Sequence, residues 1–285
     1  MAIAETQLPL SESEVRDFEE NGYLVKRDFY DVATEIEPIQ WAIYRLIGIV
    51  IEKHCLPIQQ AAFSPETFDS GYQQLIAHDR KLGGEVYDAV KQIPAFVRLV
   101  GSTRHEALMR QLRSTDMPGV AGAGYGIRID NPREEQFKAP WHQDYPAQFR
   151  SLDGVVFWSP LAAITPQLGP VEICVGSHHG GLIRVHTTDP KHPTKTAAYA
   201  LNLENESAVV DRYQRVTPLS KPGDLLLFDF LTVHRSGSNV GDRSRWTMQI
   251  RYFNFLDPTG QKIGWAGSFA AGSNLAAIHP DLFIA

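Results

Sequence analysis

The feature that most constrains what this chain can fold into is a pair of residues two apart, His142 and Asp144, with His234 far downstream. Two imidazoles and one carboxylate can cap one face of an Fe(II) octahedron and leave three positions open. Residues two apart on a strand share a face, so His142 and Asp144 can both address one ion. The third donor reaches the same point if distant strands lie side by side, as in a barrel. The spacing is chemistry and architecture together.

The surrounding sequence has the elements for such a barrel. Ser11 and Glu14 have capping-box spacing, and Gly22 would stop the helix they open. Residues 23–29 then alternate as a strand does. Between 32 and 54, Ile36, Ile39, Ile43, Leu46, Ile47 and Val50 recur at helical period. Two or three shorter helices are expected between 84 and 112, broken near Pro94 and Gly101-Ser102. The character changes at Met117-Pro-Gly119. From there strands dominate, and 154–161 and 224–230 are apolar on both faces, as in strands inside two packed sheets. Turn signals at Gly169-Pro170, Gly180-Gly181, Pro222-Gly223 and Gly241-Asp242 separate the strands. The pattern predicts an α+β fold with a mainly β core: a double-stranded β-helix (jelly roll, cupin-like) with N-terminal helices packed on one sheet.

The 285 residues, 43% hydrophobic, suffice for one core. One domain over 1–285 is therefore expected: a helical part over about 1–116, the jelly-roll core over about 117–256, and a C-terminal extension over 257–285. A net charge of -6 argues against nucleic acid as a partner. Cys55 and Cys174 have no metal-binding spacing and are expected to be buried free thiols in a reducing, cytoplasmic setting. No secretory signal opens the chain, and no apolar run approaches a membrane span.

The run Ala139-Pro-Trp-His-Gln-Asp144 is followed by a strand over 151–161, by Gly176-Ser-His178, by Pro222-Gly-Asp224, and by His234-Arg-Ser-Gly-Ser-Asn239. This succession resembles the phytanoyl-CoA dioxygenase family of Fe(II)/2-oxoglutarate-dependent oxygenases, strongly over 127–255 and weakly over 11–23. The resemblance implies Fe(II) held by His142, Asp144 and His234, with 2-oxoglutarate and O2 as cosubstrates. It selects Arg245, eleven residues past His234, for the distal carboxylate of 2-oxoglutarate, and assigns Ser236 and Trp158 to the same cosubstrate. Plain core packing is the other reading of Trp158. A guanidinium meets a carboxylate with two parallel hydrogen bonds, which Lys cannot do. Arg243 is the rival, read as a solvated turn residue. An intact Asp144 implies hydroxylation, desaturation or a similar oxidation, because related halogenases replace that carboxylate with a small residue.

Strand parity adds a second line. If Arg245 points inward, so do Thr247, Gln249 and Arg251, while Trp246, Met248, Ile250 and Tyr252 face the other way. Arg251 is then a buried ion-pair member or a binder of acidic substrate, with Gln249 and Tyr145 as further candidates for substrate contact. Gln148 and Arg150 are expected at the pocket rim, and His178 in a structural role. Residues 179–218, proline-containing and without a clear element, are expected to form a lid. The substrate expected is a small polar or anionic molecule. The alternative is a non-redox jelly-roll binder or a cupin-like metal-dependent isomerase, for which a fixed carboxylate clamp at Arg245 has no use.

Overall fold

The computed structural model of the protein describes residues 9–188, 200–267 and 279–284. Helix α1 (Glu12–Asn21) begins with the capping box that the sequence predicts: Glu14 N donates to Ser11 Oγ, and Ser11 N donates to Glu14 Oε2 at 2.8 Å. Gly22 closes it at φ 73°. A Cβ there would lie 2.4 Å from His178 Nδ1 and 2.6 Å from Thr232 Oγ1, so both conformation and space demand glycine. Strand β1 (Tyr23–Lys26) follows. In α2 (Glu37–Lys53), Ile39, Ile43, Ile47 and Val50 form one buried stripe. Helices α3 (Tyr72–His78), α4 (Arg80–Val90), α5 (Pro94–Val100) and α6 (Thr103–Arg113) complete the helical layer.

Strands take over at residue 118. They are β2 (Pro118–Val120), β3 (Gly126–Asp130), β4 (Gly154–Pro160), β5 (Val171–Cys174), β6 (Val185–His186) and β7 (Asn202–Leu203), then β8 (Arg215–Val216), β9 (Leu225–Asp229), β10 (His234–Ser236), β11 (Arg245–Asn254) and β12 (Phe283–Ile284). The large sheet has the order β1-β9-β4-β11, and on its far side β3 and β2 pair with successive stretches of the long β11. Every pairing in it is antiparallel. A second antiparallel sheet runs β10-β5-β8.

Alternation gives the large sheet two buried faces. Val155, Phe157, Leu225, Leu227, Trp246, Met248, Ile250 and Tyr252 pack with the helices in one continuous core. Val156, Trp158, Leu226 and Phe228 face the other way and pack with Val171 and Ile173 of the second sheet. Strand β4 is buried at every position, which is why its sequence is apolar on both sides. On β11 the interior positions left over are Arg245, Thr247, Gln249 and Arg251.

Two expectations change. Residues 179–218 are not devoid of elements: β6, β7, β8 and a short helix at Glu206–Val210 occupy them. The reason lies outside the segment, since β6 pairs with β7 and, in parallel, with β12 of the C-terminal extension. Residues 189–199, including Pro190, His192 and Pro193, and residues 268–278 lie outside the described residues. Cys55 is exposed, just past the end of α2, while Cys174 is buried. Among the described residues no helix is long and apolar enough to cross a membrane.

Beneath the helical layer, fully buried His105 shares a hydrogen bond of 2.7 Å with Tyr30 Oη and packs against Phe157 and Tyr252. Burial pushes its pKa down to about 3. Below about pH 6.5 the unfolded chain therefore binds a proton that the folded chain refuses, so this residue's contribution to stability falls with pH between about 6.5 and 3. Urea titrations should show a loss from pH 6.5 to 5 that is about 2 kcal/mol smaller in His105→Gln than in the parent chain. Equal losses in both would show that His105 titrates normally.

Candidate metal centre

The segment carrying His142 is zipped onto β10 rather than lying in a regular strand. His142 N donates to His234 O at 2.9 Å, and His234 N returns a bond to His142 O at 3.0 Å. This bridge brings the distant histidines together, with ring centroids 4.2 Å apart. Asp144 has helical backbone angles and opens the single turn Tyr145–Gln148. Between them Gln143 turns away: its Nε2 donates to Gly181 O and Leu231 O, and its Oε1 accepts from Ile183 N. The expected same-face geometry of 142 and 144 is thus produced by a bridge and a turn.

The donor atoms of His142, Asp144 and His234 all lie within 4.8 Å of one another. His142 Nδ1 is 2.8 Å from Pro140 O, and His234 Nδ1 is 2.9 Å from Thr232 O. A carbonyl only accepts, so each Nδ1 carries the proton and each Nε2 keeps a free lone pair. Burial pushes His234 down to about 3 and lowers His142, which keeps both imidazoles neutral near pH 7. Burial works against a charge on Asp144, but Arg251 and the two histidines outweigh it and hold the carboxyl below its ordinary value.

Asp144 divides its oxygens. Oδ1 accepts from Arg251 Nε at 2.9 Å. Oδ2 is buried without a hydrogen-bond partner, 3.7 Å from His234 Nε2. An unpartnered carboxylate oxygen between two imidazole lone pairs is a costly arrangement that a dication would relieve. The donor set fits a metal.

Two cavities meet at these residues. The larger, about 230 Å³, runs past His142 and Asp144 to Tyr87, Tyr125, Arg128, Gln148, Gln249 and Arg251. The smaller, about 40 Å³, lies among Trp158, Phe228, His234, Ser236 and Gln249. Arg245 is 1% exposed and lines neither; its Nε and Nη2 donate to Asp130 Oδ2 at 3.3 and 2.8 Å. Burial opposes the charge of Asp130, yet Arg128 and Arg245 bring its pKa to about 2.

Some placements differ from expectation. Tyr145 lines neither cavity; it is fully buried and its hydroxyl bonds His279 of the C-terminal extension. Arg150 is likewise buried, with its guanidinium on the carbonyls of Gln148 and Gly122. Arg243 is not on a solvated turn: its Nε donates to Asp69 Oδ2 at 2.9 Å and its guanidinium covers Phe68. The described part of 179–218 lines neither cavity. His178 binds the Glu19 carbonyl at 2.9 Å and so ties α1 to the strands. Arg128 and Asp130 escaped the sequence reading, although their alternation with Ile127 and Ile129 was the available signal.

The sequence profile of the family described as Phytanoyl-CoA dioxygenase (PhyH) matches residues 18–247. The chain belongs to that family. It is a 2-oxoglutarate-dependent non-haem iron dioxygenase, with Fe(II), 2-oxoglutarate and O2 as cofactor and cosubstrates, which sets aside the isomerase and non-redox alternatives. It is 26% identical over 247 residues to the ectoine dioxygenase of Sphingopyxis alaskensis, covering 81% of this chain and 72% of that one. The apo crystal structure of EctD from S. alaskensis superposes with a TM-score of 0.57 at 20% identity, over 89% of this chain and 80% of that one. SnoK, a carbocyclase of nogalamycin biosynthesis, gives 0.53 at 19% identity over 86% and 84%. At these identities the structures establish a shared fold of helices and antiparallel sheets.

The centre's electrostatics yield a prediction for this dioxygenase. Arg251→Met leaves the Asp144 charge buried without its cation, so the metal-free protein should lose about 3 kcal/mol of stability. Manganese(II) should restore part of it by taking over the charge. Thermal melts with and without manganese check this; equal melting temperatures for parent and variant would contradict it.

Proposed function

We propose that His142, Asp144 and His234 hold the iron, that Arg245, Ser236 and Trp158 hold 2-oxoglutarate, and that the enzyme hydroxylates a small polar or anionic molecule. The observation that carries the reading is the buried, unpartnered Oδ2 of Asp144 beside two imidazole Nε2 lone pairs. The facing sheets support a jelly roll, and the core shared by helices and large sheet supports one domain over the whole chain. We place the enzyme in the cytoplasm, its two cysteines being free.

When bound, iron supplies the oxidation: 2-oxoglutarate and O2 become succinate and CO2, and the remaining oxygen atom enters a substrate C–H bond. The side chains do the rest. Asp144 contributes a single negative charge, so the site keeps positive charge for an oxoacid. Arg251 fixes Oδ1 and leaves Oδ2 for the metal. Trp158, Phe228 and Val171 give the smaller cavity apolar walls, which keep water away from the oxidant. Gln148, Gln249, Arg128 and Arg251 line the larger cavity, and they suit a compact molecule with an anionic or strongly polar group. Asp144 also leaves no room for a halide at its position, which supports hydroxylation.

Purified protein given Fe(II), 2-oxoglutarate and O2 should form succinate, and His234→Ala should form none. Arg245→Lys should keep the metal but raise the apparent KM for 2-oxoglutarate by roughly ten- to a hundredfold, because a charge-assisted bond is worth about 1.5–3 kcal/mol. Succinate formation by His234→Ala at the parent rate would refute the ligand assignment.

A further inference from the structure

Tyr145 follows Asp144 directly in the chain and is 0% exposed. A phenol hydroxyl enclosed in that way needs a hydrogen-bond partner. Among the described residues it has one: His279, 134 residues further on, whose Nε2 lies 2.5 Å from Tyr145 Oη. The imidazole also meets the phenol ring edge-on, with centroids 5.5 Å apart. Burial raises the Tyr145 pKa, so the hydroxyl keeps its proton.

Both ends of this contact are anchored. Leu282 N donates to His279 O at 3.1 Å, Val185 N donates to Leu282 O at 2.9 Å, and β12 then pairs with β6. Leu282 is buried in one cluster with Trp141, Ala147 and Val233. Trp141 precedes His142, Val233 precedes His234, and Ala147 belongs to the turn after Asp144. The segment 279–284 is therefore a strap laid across the stretches that carry all three candidate donors. At the other end, Asp144 N and Tyr145 N both donate to Phe230 O, at 2.9 and 3.4 Å. Tyr145 and Asp144 thus share one backbone anchor, and a phenol that shifts takes the carboxylate with it.

We propose that His279 is a positioning residue for the metal centre: by holding the Tyr145 hydroxyl it fixes the turn that aims Asp144 Oδ2 at the ion. This rests on the reading of Asp144 as a metal ligand. Without His279 the hydroxyl is satisfied only if the turn relaxes to let water in. An ion must then draw the turn back, so the cost appears in metal affinity. The contact is asymmetric. Removing the imidazole leaves a fully buried hydroxyl unpaired, whereas removing the hydroxyl leaves a half-buried imidazole that water can reach.

The test is calorimetric titration of the metal-free protein with manganese(II), together with thermal melts. His279→Phe keeps a ring against Tyr145 but removes the hydrogen bond, and it should weaken manganese about tenfold. Tyr145→Phe should bind within about threefold of the parent, and adding it to His279→Phe should restore binding to that level, because no hydroxyl is then left unpaired. His279→Gln, which can still bond the hydroxyl, should also stay within about threefold. Should His279→Phe fold poorly, the comparison of His279→Leu with His279→Gln decides by the same criterion. If His279→Phe lowers the melting temperature yet binds manganese as the parent does, His279 only supports the fold and the proposal is wrong. If affinity falls and Tyr145→Phe does not restore it, His279 does not act through Tyr145, which overturns the proposal too. If Asp144→Ala binds manganese as tightly as the parent, the reading of Asp144 as a ligand falls instead.

Discussion

The buried carboxylate of Asp144 organises this molecule. A charge so deeply enclosed has to be matched, and its two oxygens are matched differently. Arg251, in the second half of β11, donates to Oδ1, and Oδ2 is left facing two imidazoles. The imidazoles in turn are aimed by backbone carbonyls of Pro140 and Thr232, which fix their protonation. Three elements thus converge on one point: the bridge at His142, the turn at Asp144 and the start of β10. Each is held in place by backbone hydrogen bonds, the preorganisation that a metal site requires.

Strand β11 connects that centre to the rest of the fold. Its outward residues, Trp246 to Tyr252 in alternation, belong to the core shared with the helices. Its inward residues are polar and run from Arg245, paired with Asp130, to Arg251, paired with Asp144. A strand with one apolar and one charged face cannot slip register by one residue without burying guanidiniums among isoleucines. The same alternation therefore holds the sheet in place and sets the order of polar groups along the inner face of the strand. Arg243, just before it, is anchored on Asp69, so the entry to the strand is clamped too.

What was legible in the sequence follows period and local chemistry. The capping box at Ser11, the stripe of α2, the two-sided burial of β4 and β9, and the inward parity of Arg245 through Arg251 are properties of single elements, and each has a local pattern. The candidate metal donors stood out less by the His-x-Asp spacing, which is common by itself, than by the neighbouring runs that resemble the family. What was not legible depends on partners far along the chain. Nothing local says that β12 pairs with β6, that Tyr145 turns to His279, that Asp69 receives Arg243, or that Asp130 sits between Arg128 and Arg245. Gln143 shows the same limit: its side chain holds three backbone groups from two loops, and only the folded chain brings them together.

The central claim is that Asp144, His142 and His234 form one iron site prepared by Arg251. Anaerobic calorimetric titration of the metal-free protein with Fe(II) tests it most directly. The parent chain should bind one ion, and Asp144→Ala should lose nearly all of that affinity while remaining folded. Binding of Fe(II) by Asp144→Ala as tightly as by the parent, or no binding by the parent at all, would contradict the account.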